Sequence, residues 1–351
     1  MSKSSTVDRS AWVYRWDLDK TYLHTDFDTV RDLIRTALEP PTRKRAVPGA
    51  TVLLQEIHAT HPAGIFILSG SPEQMRQVLE AKLRLDGIDW DGFTLKPSLQ
   101  KLMRGKFRFL RDQVSYKLTA LLRARTTVDP RTREVLFGDD AEADAFIYSL
   151  YADLALGRVG RDMLMNVLQL AGVYVEDIPQ IIRIADRIPR SNAVGRIFIH
   201  LDRVSSFEAF EDFGTRVCPF YNYFQPALVL LQDGLIDVGA LFRVGEDLVV
   251  SHGFNPDVLI ASAQDLADRN YVDRGLIQKI RVAITREGFE YPDEAGDAIE
   301  EFCRVLLSRE DRFDEIARIS IPDIDYVELF PRDRARAKAA KMRAIWPKKR
   351  S

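Results

Sequence analysis

Trp12-Val13-Tyr14-Arg15-Trp16-Asp17-Leu18-Asp19-Lys20-Thr21 is the stretch that decides how this chain is read. Its first half is rich in aromatic and β-branched residues and reads as a buried strand. Two aspartates, Asp17 and Asp19, follow at its end with one residue between them. Acids just past such a strand stand where open α/β sheets bind ligands, at the carboxyl ends of the strands. A D-x-D-x-T string alone arises by chance in many proteins. Three later segments give it weight.

The first is Gly64-Ile65-Phe66-Ile67-Leu68-Ser69-Gly70-Ser71-Pro72, an apolar run that ends in a small hydroxyl residue. Pro72 then opens a helix, since proline suits a first turn whose N–H has no partner. Ser69 offers a donor at the sheet edge, or serves only as part of a turn and N-cap. The second is Lys117, within Val114-Ser115-Tyr116-Lys117-Leu118-Thr119-Ala120-Leu121-Leu122, where the leucine spacing makes an amphipathic helix. A lysine near a helix start opposes the macrodipole unless an anion compensates; the plainer reading is a surface lysine. The third is Glu134-Val135-Leu136-Phe137-Gly138-Asp139-Asp140-Ala141-Glu142-Ala143-Asp144, a short strand, a glycine, then acids. Helix capping explains one or two of these carboxylates, but not Asp139-Asp140 directly after a strand as well.

In a parallel sheet these strand ends converge on one crevice. Two carboxylates about 4 Å apart repel by roughly 4 kcal/mol at an effective dielectric of about 20. Gathering Asp17, Asp19, Asp139 and Asp144 is therefore costly without a cation. Oxygen ligands with few histidines select a hard metal, and Mg²⁺ prefers one or two carboxylates with waters and a substrate phosphate. The constellation points to Mg²⁺-dependent phosphoryl transfer.

With D-x-D-x-T, a post-strand Ser, a helix Lys and G-D with a further Asp in that order, the chain resembles the haloacid dehalogenase (HAD) superfamily of phosphatases. Arg45-Ala46-Val47-Pro48-Gly49, Ser69-Gly70-Ser71-Pro72, Gly138-Asp139 with Asp144 and Ile147-Tyr148, and Gly195-Arg196-Ile197-Phe198-Ile199-His200-Leu201 look like the catalytic domain of the actin-patch-type phosphatidate phosphatases. The resemblance spans residues 12 to 202. Three positions depart from that branch: Lys20 stands where it usually has Asp, Gly70 where it has Asn, and Asp140-Ala141 where it has Ser-Gly. None removes a superfamily catalytic residue, and substrate preference stays open.

The resemblance implies a catalytic set of Asp17, Asp19, Ser69 and Lys117. Asp17 would attack phosphorus, and Asp19 would protonate the leaving alcohol and then activate water. Ser69 and Lys117 would bind the transferring oxygens. It implies a Mg²⁺ cofactor held by Asp17, Asp19 through its backbone carbonyl, and Asp139, with Asp140 and Asp144 as further metal or supporting groups.

The net charge of −2 gives no global bias toward nucleic acid, which is not an expected partner. Cys218 and Cys303 cannot build a disulfide framework and fit a reducing compartment, so the expected location is cytoplasmic. The polar start Met1–Ser10 has no apolar core of a signal peptide, and no apolar run reaches the length of a membrane span. His200 reads as a strand or core residue.

The expected fold is α/β: a HAD-like, Rossmannoid parallel sheet of about five strands with helices on both faces and a small cap, followed by a mainly helical C-terminal region. The expected boundaries are 1–203 for the catalytic domain, with a helical insertion at 157–192, then 204–330, then a tail at 331–351. Helices are expected at 28–38, 51–58, 72–83, 106–124, 228–235, 256–268, 274–285 and 293–307, and a short strand at 93–95. Phe207, Phe210, Phe213, Phe220, Tyr221, Tyr223 and Phe224 crowd one stretch, as an aromatic core or as an acyl-chain pocket. The tail carries nine Lys or Arg against one acid, with Met342, Ile345 and Trp346 interleaved. It is either a solvated tail or a basic amphipathic segment making peripheral contact with anionic lipid.

The leading functional expectation is a HAD-type phosphatase acting on a phosphate ester, with phosphatidate-type lipid as substrate. A phosphatase of a soluble phosphoester is the alternative. A non-catalytic interaction protein that retains the fold is the third reading, and a receiver-type phosphoacceptor fits poorly because the acid cluster follows the paired acids so late in the chain.

Overall fold

The computed structural model describes residues 7–24, 40–96, 109–202, 205–315, 317 and 319–345. The expected helix at 28–38, the start of the helix at 106–124 and the end of the basic tail, with Trp346, lie outside the described residues.

The chain divides into two compact units. One comprises residues 11–45, 63–219 and 321–351, and it holds the sheet. Six strands take the order β3-β2-β1-β4-β5-β6: β1 (Trp12–Trp16), β2 (Gly64–Pro72), β3 (Gly92–Lys96), β4 (Arg133–Asp139), β5 (Val194–His200) and β6 (Val217–Phe220). The first five run parallel. The sheet thus exceeds the five expected strands by β6, whose four residues carry no alternation that sets them apart from the helical text around them.

The Trp12–Trp16 run is buried at every position, as a central strand covered on both sides requires. Trp16 stacks on Phe137 of β4 with ring centroids 3.7 Å apart, and Phe137 on Phe198 of β5 at 4.8 Å. The stacks run along one face of three neighbouring strands. Arg15 points to the other face and pairs with buried Glu134 at 2.5 Å, which also accepts from Tyr151 Oη at 2.8 Å. That face is packed by α3 (Phe109–Arg125) and α4 (Asp144–Leu156), while α2 (Arg76–Leu85) follows β2. Pro72 ends β2 rather than opening the helix: a 3₁₀ turn, Glu73–Met75, comes between them.

The insertion at 157–192 forms α5 (Arg161–Leu170) and α6 (Ile178–Ala185). At the C-terminus, a single helix over Tyr326–Ile345 runs across the expected tail boundary at 331. It is anchored where Tyr326 Oη donates to Asp153 of α4 at 2.7 Å, the same carboxylate that takes Arg216 at 2.7 Å. Leu329 and Phe330, just before the basic run, and Asp333 within it are buried in this helix.

The other unit comprises residues 1–10, 46–62 and 220–320 and is helical. It contains α1 (Ala50–Ala59), α7 (Phe224–Gln232), α8 (Val238–Glu246), α9 (Asp257–Asp268), α10 (Arg274–Ile284) and α11 (Gly296–Ser308). The C-terminal helix Tyr326–Ile345 is accordingly α12. Asp237 and Asp273 cap α8 and α10 by accepting from Ala240 N–H and Gly275 N–H. Phe220, Tyr223 and Phe224 are buried here, and Phe224 meets Phe302 edge to face at 5.3 Å. Phe210 and Phe213 are buried in the core of the sheet unit.

Candidate active site

The register of the sheet sets the rim. Trp16 lies opposite Ile67 of β2 and Phe137 of β4, so Asp17 and Asp139 emerge at the carboxyl ends of β1 and β4 beside Ser69, which lies three residues before the end of β2. The N–H of Asp17 still bonds to Phe137 O at 3.0 Å, which holds the first acid against β4. Asp139 ends β4, and Asp144 opens α4 five residues later. Gly138 makes their approach possible: a Cβ there would stand 2.6 Å from the Cβ of Asp144. Asp144 Oδ2 then accepts from the Asp139 N–H at 3.2 Å.

Asp17, Asp139, Glu142 and Asp144 each offer a carboxylate oxygen within 4.8 Å of the others, and all four are buried. Lys117, fully buried on α3, reaches into them. Its Nζ lies 2.5 Å from Asp144, 2.7 Å from Glu142 and 3.5 Å from Asp17. One ammonium cannot balance four carboxylates. Burial, with Asp144 and Glu142 adding like charge, pushes Asp17 and Asp139 well above the ordinary carboxylate range. Burial raises Asp144 to about 6, although Lys117 opposes the rise. For Lys117 burial pulls the other way, but Asp144, Asp17 and Glu142 together overcome it and hold the ammonium charged.

The orphaned atoms of the cluster share one character. Both carboxylate oxygens of Asp17 and Oδ2 of Asp139 are buried without a hydrogen bond. Asp139 Oδ1, by contrast, accepts from the N–H groups of Ala141 and Glu142. Buried acceptors left open, in an all-oxygen set with excess negative charge, fit a hard divalent cation.

Asp19 stands beside this group with a different environment. Its Oδ2 accepts from Ser69 Oγ at 3.0 Å and Ser71 Oγ at 2.8 Å. Burial still raises its pKa, with those two donors opposing. The following residue, Lys20, takes a left-handed conformation (φ 61°) uncommon for a residue with a side chain. His200 Nδ1–H secures that turn by donating to Lys20 O at 2.6 Å.

Of the residues singled out in the sequence, Asp17, Asp139, Asp144 and Lys117 are thus in one cluster, and Ser69 and Asp19 are bonded next to it. Asp140 is not in it: its carboxylate accepts from the Ser205 N–H at 3.0 Å. Residues leaving a strand alternate in direction, so Asp139 and Asp140 part. Glu142 takes the place in the acid group, and Gln113 and Ser71 also belong to the site. Glu142 was visible as an acid in a helix's approach, where capping is the ordinary reading. Gln113, one turn before Lys117 on α3, gave no signal beyond that spacing.

Residues 16–161 match the family model for the phosphatidate phosphatase APP1, catalytic domain. The matched segment is less than half of the chain, and it contains every residue of the acid cluster, Lys117, Asp19, Ser69 and Ser71. The resemblance read from the motifs therefore holds over the APP1 catalytic segment. No curated protein and no solved structure matches the chain. Among the described residues no helix is long and apolar enough to cross a membrane.

Proposed function

We propose that the chain is a HAD-type phosphatase that hydrolyses a phosphomonoester through an aspartyl-phosphate on Asp17, with a phosphatidate-type lipid as substrate. The observation that carries this reading is the four-acid group around Lys117, with the oxygens of Asp17 free of hydrogen bonds, inside a segment matching a phosphatidate phosphatase domain. A carboxylate nucleophile needs an unengaged oxygen.

An oxygen of Asp17 forms the bond to phosphorus as the bond to the leaving alkoxide breaks. Asp19, whose raised pKa favours the protonated acid, delivers its proton to that alkoxide. Asp19 then takes a proton from water as the water oxygen attacks phosphorus, which frees the carboxylate of Asp17 and releases phosphate. Lys117 and Ser69 bind the transferring oxygens, whose charge a buried, preorganised ammonium stabilises better than water does. Asp17, Asp139, Asp144, Glu142 and the Asp19 carbonyl are the groups that would hold Mg²⁺, which supplies charge neutralisation and orientation of the phosphoryl group. The basic α12 and the tail beyond it support an anionic, membrane-borne substrate and peripheral membrane contact from a cytoplasmic location.

The test is phosphate release from phosphatidate vesicles and from small phosphomonoesters, with and without Mg²⁺, beside Asp17→Asn. The reading expects Mg²⁺-dependent release, faster from vesicles, with folded Asp17→Asn inactive. Preference for small esters would replace the lipid substrate by a soluble one. Wild-type rates in Asp17→Asn would remove the nucleophile, and no turnover on any ester would leave an interaction protein.

A further inference from the structure

Gln113 sits on α3 four residues before Lys117, and so on the same helix face. It is 3 % exposed. Its Nε2 donates to Glu142 Oε1 at 2.8 Å. A carboxylate only accepts, so this bond fixes which end of the amide faces Glu142. The other carboxylate oxygen of Glu142 lies 2.7 Å from Lys117 Nζ. One acid of the cluster is therefore gripped by two side chains a single turn apart on one helix. The amide's own Oε1 is buried and has no hydrogen bond.

Room for this amide comes from β2. A Cβ at Gly70 would lie 2.9 Å from Gln113 Nε2 and 3.6 Å from its Cδ. Gly70 is absent from the glycines with positive φ, so the backbone there accepts an ordinary residue. What residue 70 supplies is space. The three atoms nearest to such a Cβ all belong to the far end of the flexible Gln113 side chain, so a methyl group there would displace the amide before it met the backbone.

We propose that Gln113 is a positioning residue that fixes Glu142 as a ligand of the divalent cation, and that a glycine at position 70 is what admits it. This rests on the reading of the acid cluster as a cation site. Without the Gln113 bond, Glu142 is left to Lys117 alone. It is then free to turn, and its carboxylate has to be ordered again each time a cation binds. Supporting partners of ligating carboxylates commonly carry 10–100-fold in metal affinity.

The experiment titrates Mg²⁺, and separately Mn²⁺, into the metal-free full chain by calorimetry, for wild type, Gln113→Leu, Gln113→Ala, Gly70→Ala and the Gly70→Ala/Gln113→Ala double variant. Metal-free melting temperatures are recorded in parallel. The expected result is a Kd raised about 10-fold or more in both Gln113 variants. Gly70→Ala should weaken binding in the same direction and add nothing once Gln113 is already alanine, with metal-free melting close to wild type throughout. Non-additivity of this kind marks a shared contact. If a Gln113 variant fails to fold, Gly70→Ala breaks the same bond from β2. Wild-type affinity in the Gln113 variants, or full additivity of the two positions, would overturn the proposal while leaving the cation site standing. A wild-type chain that binds neither ion would remove the cation site and this proposal with it.

Discussion

Raising the pH should weaken the metal-free protein across a window set by Asp144. Its carboxyl is held at about 6 in the fold against an ordinary 3.8. A folded-state pKa above the unfolded value means that the folded chain keeps a proton the unfolded chain gives up. The stability this contributes is complete below about 4 and is lost as the pH rises through about 6. The difference of about 2 units is worth about 3 kcal/mol. Asp17 and Asp139, also raised by burial, push in the same direction. Surface carboxylates such as Glu73, lowered by its bond to Arg76, pull the opposite way. The clean quantity is thus the difference between wild type and Asp144→Asn. Urea midpoints in EDTA, taken at intervals from pH 4 to 7, should show wild type losing about 3 kcal/mol relative to the variant. Magnesium at 100 times its Kd should return about 2.7 kcal/mol to the wild type at neutral pH, because the cation replaces the lost protons. A wild type that gains stability over the variant between pH 4 and 6 in EDTA would refute the electrostatic account of the cluster.

Lys117→Met removes the one ammonium that Asp144, Glu142 and Asp17 share. At pH 7 in EDTA it should cost about 3–5 kcal/mol by denaturant melting, and the loss should shrink near pH 4.5 as the carboxylates take up protons. An equal loss at both pH values would contradict this. Arg336→Ala deletes the guanidinium of α12 that donates to Asp140 O at 3.0 Å and pairs with buried Asp333 at 2.9 Å. The expected cost is about 1–3 kcal/mol, with a reduced turnover rate because Asp140 adjoins Asp139. Unchanged melting and turnover would show that α12 does not support the acid loop.

Much of the site was written locally. The aromatic and β-branched run before Asp17 has to be buried, and a parallel sheet brings the carboxyl ends of its strands to one rim. The order of strand-end acids, serine and helix lysine therefore singles out Asp17, Asp19, Ser69, Lys117 and Asp139, which the fold brings close to one another. Other assignments were beyond local reading. The helix Ala50–Ala59 was legible from its pattern, but an amphipathic face does not say whose core it joins, and it packs with the helical unit. The composition after Pro331 reads as a basic tail, and the helix Tyr326–Ile345 enters it with Asp333 buried and Tyr326 anchored on Asp153.

By itself, then, the sequence determined the runs that form the parallel strands and the residues near their ends, because apolar patterning and burial act over a few neighbouring positions. Only the tertiary structure decided that Glu142 joins the acids while Asp140 turns to Ser205, and that Gln113 fills the space beside Gly70. Those choices depend on contacts between residues far apart in the chain: alternation parts Asp139 from Asp140, but it does not say which of the two faces the acid cluster.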